Sequence, residues 1–375
     1  MYSSVDTPAY ICEEAHLRKN LELLEHVQKS SGVKILLALK GFAMHSTFDL
    51  VSKYLCGATA SGLNEALLAL ELNKEVHTYS PAFKESEIEQ ISKISDHIVF
   101  NSFRQLKHFK SRVKELNPKV SIGIRVNPDV STVDVDLYNP CAPFSRLGVT
   151  KKNFVFDEID GVDGLHFHAL CEQNVDALEI VLKNFEEQFG HILSNLKWVN
   201  FGGGHHITRE DYDVNILINL LKNFKSRYEN LEVYLEPGEA VAWQTGVLVS
   251  RVLDIVNNGI DIAILDTSAE THMPDVLAMP YTPDVRGSAK PNIKKYTYRF
   301  GGNSCLAGDI IGDYSFDEAL KIGDTIIFED MIHYTMVKNT TFNGIALPSI
   351  IIHKEDGTLE TIKKFGFDDY KNRLS

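Results

Sequence analysis

The chain has 375 residues, 44% of them hydrophobic, and a formal net charge of −13. That length exceeds one ordinary hydrophobic core, so a large domain and a smaller one are expected, and the acidic balance argues against a phosphate backbone as partner. No run approaches the roughly 18 apolar residues of a membrane span, MYSSVDTPAY lacks a charged-then-apolar export signal, and the five cysteines form no CxxC pair. A cytoplasmic protein that binds neither nucleic acid nor membrane is expected.

In chain order, strands are expected at KILLAL (34–39), CGATA (56–60), VHTYS (76–80), HIVFN (97–101), SIGIRVN (121–127), GLHFHA (164–169), WVNFG (198–202) and VYLEP (233–237). Between them lie stretches such as GLNEALLALELN, SFRQLKHFKSRVKEL and ALEIVLKNFEEQFGHIL, whose apolar residues recur three and four apart as in helices. Strands alternating with helices imply a parallel sheet. Eight such units predict an α/β fold with a closed (β/α)8 TIM-like barrel over residues 7–242, an open doubly wound sheet being the alternative. Beyond it, VLVSRVLDIV, IDIAILDT, KKYTYRF, DTIIFED and SIIIHKEDGTLETI predict a second, mostly antiparallel β domain formed by residues 1–6 and 243–375.

Barrel chemistry sits at the C-terminal ends of the strands, where this chain carries Lys40, Arg125, His168, Gly202, Gly203, Gly204 and Glu236. Each alone has a structural explanation; together on one rim they define a candidate site. Lys40 ends the apolar run Ile35–Leu39, an environment in which an ammonium needs a partner or a covalent fate. NFGGGHHITREDYD follows a strand and precedes a helix that Thr208 with Asp211 could cap, and its glycines would let the backbone approach an anion. It matches neither a Walker loop nor GxGxxG, which excludes the common nucleotide signatures. A reactive lysine, a phosphate cradle and a strand-end carboxylate are what pyridoxal 5'-phosphate requires: an amine for its aldehyde, amides for its phosphate and an acid to keep its pyridine nitrogen protonated. No metal is expected.

The stretches LALKGF, FHALCEQN, NFGGG, LEPGEA, GGNSCLAGD and HYTMVKNTTFNG occur in the order seen in the fold-type III, alanine racemase-like pyridoxal phosphate decarboxylases, the relatives of diaminopimelate and ornithine decarboxylase, and the chain resembles that family over nearly its whole length. The resemblance implies that Lys40 holds the cofactor as an imine, that His168 stacks on its pyridine ring, and that Gly202, Gly203 and Gly204 bind phosphate with help from Tyr334. It further implies that Glu236 meets the pyridine nitrogen, that Arg125 supports the cofactor, and that Cys305 reaches in from the partner subunit of a homodimer with shared active sites to protonate the product.

Departures from the family pattern bear on the substrate. EPGE replaces EPGR, so Glu239 stands where relatives carry a cation, and Leu306 follows the cysteine where relatives carry an acid, with Asp309 three residues on. An apolar wall with carboxylates beyond it suits a small, multiply cationic, carboxylated polyamine, because desolvated cations need paired charge. Glu239, Glu270, His272 and Asp309 are the candidate substrate contacts. HALC replaces HIGS, placing the poorer donor Cys171 where relatives use a serine. The alternatives are a diaminopimelate or other basic amino-acid decarboxylase, an amino-acid racemase of this fold, and a noncatalytic cofactor-binding regulator.

Overall fold

The computed structural model describes residues 2–279 and 281–375. The chain forms two compact units, one of Lys19–Val241 and one in which the segment up to Arg18 joins Ala242–Ser375. Strand β1 (Ala9–Glu13) belongs to the second unit.

The first unit is built on β2 (Lys34–Ala38), β3 (Gly57–Ala60), β4 (Glu75–Tyr79), β5 (His97–Phe100), β6 (Ser121–Asn127), the two-residue β7 (Val149–Thr150), β8 (Gly164–His166), β9 (Trp198–Asn200) and β10 (Glu232–Leu235). Neighbours run β5-β4-β3-β2-β10-β9-β8-β6 and β5 also pairs with β6, so eight parallel strands close on themselves. The eight strands read from the sequence are the barrel strands. Helices Phe103–Leu116 and Val175–Leu193 bury their apolar faces through Leu106, Phe109 and Val113, and through Leu178, Val181, Phe185 and Phe189, as the three-and-four spacing requires. Ser102 caps the former by accepting from the Gln105 amide. Between β6 and β8, besides β7, the described residues hold 3-10 turns at Asp136–Tyr138, Lys151–Asn153 and Phe156–Glu158 and no α-helix.

Trp198 fills the barrel interior. A Cβ on Gly164 would stand 2.1 Å from its ring and one on Gly123 2.4 Å, so both glycines are holes cut for the indole, whose Nε1 donates to Ser121 Oγ at 2.8 Å. His97 stacks on Trp198 and, at 3.8 Å, on His77. Glu75, His77 and His97 therefore stand together, but the two imidazoles lie face to face and Lys34 donates to Glu75 at 2.8 Å. This layer packs and neutralises itself as the barrel floor.

In the second unit, β11 (Gly246–Asn257), β12 (Asp261–Leu265), β13 (Tyr296–Gly301), β14 (Ile310–Phe316), β15 (Thr325–Glu329), β16 (Ser349–His353) and β17 (Leu359–Lys363) join β1 in the order β14-β13-β12-β11-β1-β16-β17, with β15 beside β11. All pairs are antiparallel except β1 with β16 and β12 with β13. Two expectations differ from this. The barrel was expected from residue 7, yet Ala9–Glu13 lies between β11 and β16, because AYICE, buried at its first four positions, suits a central strand. β14 escaped the sequence reading because Gly312 and Asp313 interrupt its apolar run; its register instead pairs Asp313 with Arg299, which donates two bonds at 2.8 and 2.9 Å. Ala9, Ile11, Val247, Val249 and Ile351 form one core of this unit. No helix of the described residues is long and apolar enough to cross a membrane.

Candidate active site

The buried strands of the barrel deliver a set of polar groups to its C-terminal rim. Ile35–Leu39 are buried, but β2 ends at Ala38 and turns, with the amides of Gly41 and Phe42 donating back to the Ala38 carbonyl. Lys40 is consequently exposed, not buried as the apolar run implied. The protein around it still disfavours its charge: crowding by protein atoms first, then Arg125, lowers its pKa from the ordinary 10.5, with Glu236 pulling the other way. A Cβ on Gly41 would lie 2.9 Å from the Glu239 amide, so the LKG turn packs backbone to backbone on the EPGE turn.

Glu236, after β10, accepts from Asn200 Nδ2 at 2.7 Å through Oε1 and meets His166 Nε2 at 3.2 Å through Oε2. Burial raises its pKa, but His166 and Asn200 outweigh that and hold it at about 2. His166 is itself buried, and desolvation lowers its pKa while Glu236 pulls the other way. His168 lies two residues on. Its Nδ1 accepts the Gly203 amide at 3.0 Å, which leaves the proton on Nε2, and burial followed by Lys40 keeps the ring neutral. Arg125 donates from Nη2 to the His168 carbonyl at 3.1 Å and lies 4.6 Å over the Tyr79 ring. Its buried Nε has no hydrogen-bond partner among the described residues.

The glycine turn is built from close approaches. Gly202 and Gly204 have φ of +69° and +88°, and a Cβ on Gly203 or Gly204 would lie 2.1 or 2.0 Å from the carbonyls of Glu236 or Leu170. No other residue fits. The amides of Gly202 and Gly203 already donate to Asn200 Oδ1 and His168 Nδ1, so these two glycines give the turn its shape rather than free donors. The helix that follows is capped by Asp213, which accepts from the Ile216 amide. Thr208 and Asp211 were expected there, but Thr208 donates to the Ala240 carbonyl and Asp211 pairs with Arg209.

These residues fit pyridoxal phosphate: an amine of lowered pKa, an ionised buried carboxylate, a neutral imidazole and a turn with no room for side chains. Sequence reasoning missed Tyr79, His166, Asn200 and His206. The signal for His166 and Asn200 was the alternation of a strand, which sends each to the same side as the residue two further on, His168 or Gly202.

The remaining candidates separate into accessible and committed groups. Glu239 begins a short helix, Glu239–Ala242, with Oε2 3.2 Å from the buried His206 Nε2. In the second unit Cys305 is exposed, Glu270 and Tyr334 are half-buried, and Tyr334 has φ of +29° with Lys338 Nζ 5.3 Å from its ring. His272 and Asp309 are corrections to the expected substrate contacts. His272 is fully buried and its Nε2 donates to the Ala346 carbonyl, burial holding its pKa near about 4. Asp309, 3% exposed, spends its carboxylate on Ala269 N, Ser304 N and Ser304 Oγ.

The barrel, the second sheet and this rim define a barrel-type pyridoxal phosphate enzyme. Residues 9–332 match the family model described as pyridoxal-dependent decarboxylase, C-terminal sheet domain, and the chain belongs to that family of decarboxylases. It is 52% identical to the carboxynorspermidine/carboxyspermidine decarboxylase of Campylobacter jejuni over 99% of both chains. It is 44% identical to the carboxyaminopropylagmatine decarboxylase of a Synechocystis species, over 99% of this chain and 96% of that one. The crystal structure of Campylobacter jejuni carboxynorspermidine decarboxylase complexed with norspermidine superposes with a TM-score of 0.92 at 51% identity, covering 98% of this chain and 100% of that one.

Proposed function

We propose that this enzyme decarboxylates carboxynorspermidine or carboxyspermidine to norspermidine or spermidine in polyamine biosynthesis, as a cytoplasmic homodimer with shared active sites. The observation that carries the substrate class is Glu239, a carboxylate on the turn that packs against the Lys40 turn. An acid there attracts a cationic chain and repels a second carboxylate. The 52% identical relative carries the same substrates in its name.

In this reading the barrel unit, Lys19–Val241, is the cofactor-binding domain, and the segment up to Arg18 with Ala242–Ser375 is the β domain. Lys40 would hold pyridoxal phosphate through its amine, with Glu236 on the pyridine nitrogen, His168 on the ring face, and Arg125, Gly202, Gly203, Gly204 and Tyr334 supporting the rest. When bound, the cofactor supplies an electron sink for the pair released as carbon dioxide leaves. The protein's part is then positional and protonic. His166 and Asn200 keep Glu236 ionised, so it stabilises positive charge at the group it faces. The lowered pKa of Lys40 increases its neutral, nucleophilic fraction. Glu239 and Glu270 bind the substrate's ammonium groups, and Cys305 Sγ of the partner subunit delivers the proton that completes the amine product.

The 44% identical relative favours a second reading, carboxyaminopropylagmatine, in which a guanidinium replaces the terminal ammonium. The test is carbon dioxide release by cofactor-loaded protein from carboxynorspermidine, carboxyspermidine, carboxyaminopropylagmatine, diaminopimelate, ornithine and arginine. Release confined to the first two supports the proposal, release from the third alone selects the second reading, and release from the last three alone rejects both. Lys40→Ala is expected to abolish turnover; retention of the wild-type rate would remove the assigned role of the lysine.

A further inference from the structure

We infer that Asn343 is a positioning residue for Cys305, holding the backbone of the cysteine so that its exposed thiol points along one direction. The inference rests on the reading of Cys305 as proton donor. Cys305 lies in the eight-residue connection between β13 and β14, residues 302–309, and its side chain is exposed. An exposed thiol on a free loop would sample many directions, and a proton donor misplaced by about 1 Å loses much of its rate advantage. This loop is not free.

Its amide at Cys305 donates to Asn343 Oδ1 at 2.7 Å. Asn343 sits at φ of +57°, the left-handed conformation that asparagine tolerates better than most residues, and Gly344 follows at +73°. The turn therefore presents the side-chain carbonyl to the cysteine from a backbone that few residues could adopt.

The second anchor is Asp309. Oδ2 accepts from Ser304 N at 3.2 Å and Ser304 Oγ at 2.5 Å, while Oδ1 accepts from Ala269 N at 2.7 Å. Ser304 Oγ in turn accepts the Leu306 amide at 3.3 Å. A Cβ on Gly302 would come within 2.2 Å of the Asp309 carboxylate, so the loop begins packed against it. Asp309 thus fixes the residues flanking the cysteine, and Asn343 fixes the cysteine itself. The step served is balanced: the S–H bond breaks, the electron pair left by departing carbon dioxide takes that proton to form a C–H bond, and water reprotonates the thiolate.

Asn343→Gly isolates the side chain, because glycine accepts φ of +57° without strain. Asn343→Asp restores an acceptor of the same shape. With the cofactor-loaded full chain and the substrate it turns over, Asn343→Gly is expected to lower kcat about 10- to 100-fold with KM within about twofold, and Asn343→Asp to return kcat to within about threefold of wild type. Peptide-resolved alkylation of Cys305 by iodoacetamide should be faster in Asn343→Gly and near wild type in Asn343→Asp. Wild-type kcat and alkylation in Asn343→Gly, or an Asn343→Asp as impaired as Asn343→Gly, would overturn the inference. Cys305→Ala separates the premise: undiminished turnover there removes the donor role, while the alkylation pattern still decides whether Asn343 holds the loop.

Discussion

Glu236 illustrates how one side chain inherits its role from its neighbours. Buried carboxyls ordinarily rise in pKa, and this one is held near 2 because the charge interaction and hydrogen bond with His166, and the Asn200 amide, outweigh burial. With an ordinary value of 4.5, it stabilises the fold above pH 4.5 and loses that contribution as pH falls from 4.5 through about 2. Glu236→Gln should therefore flatten the acid-unfolding curve below pH 4.5 while lowering kcat by about 10²- to 10³-fold. An unchanged acid limb, followed by circular dichroism, would contradict the assigned protonation. The sequence pointed to Glu236 through its strand end. It gave no sign that Asn200 and His166 set its charge, since those contacts link the neighbouring strands β8, β9 and β10, which are far apart in the chain.

At the scale of elements, the fit of Trp198 against two glycine-bearing strands shows why barrel strands need particular small residues. A methyl at Gly164 would stand 2.1 Å from the indole, and one on Gly123, its partner on the neighbouring strand, 2.4 Å. Gly164→Ala is expected to cost about 1–3 kcal/mol in urea unfolding, with the rim residues unchanged in identity; a loss below about 0.5 kcal/mol would mean that the floor repacks freely. Strand positions were legible because apolar runs and helix-period stretches alternate along the chain. β14 was not, because its stability comes from cross-strand partners such as Arg299 with Asp313 rather than from its own pattern. The Asp213 cap was likewise hidden, several acids and hydroxyls in ITREDYD being equally placed to serve.

Across the whole molecule, several histidines are buried neutral, among them His97, His205 and His272, with pKa values near about 2, 3 and 4 against the ordinary 6.5. Burial is the leading cause in each. The folded state then binds fewer protons than the unfolded chain below pH 6.5, so the stability these groups leave intact above 6.5 is lost as pH falls towards their folded values. Urea unfolding at pH 7.5, 6 and 5 should show a decline of about 1–2 kcal/mol per such histidine by pH 5, and a pH-independent midpoint would refute it. The proposed shared sites give a second test at this scale. Lys40→Ala and Cys305→Ala should each be inactive, and an equal mixture allowed to exchange subunits should regain about 25% of wild-type activity, because half the random dimers carry one intact site. The sequence by itself determined the eight-strand barrel, the second sheet and the rim positions of Lys40, His168 and Glu236, since strand periodicity and strand ends are local properties of the chain. Only the tertiary structure decided that Lys40 is open, that His272 and Asp309 are consumed internally, and that Asn343 reaches Cys305, because burial and hydrogen-bond partners depend on residues far away in the chain.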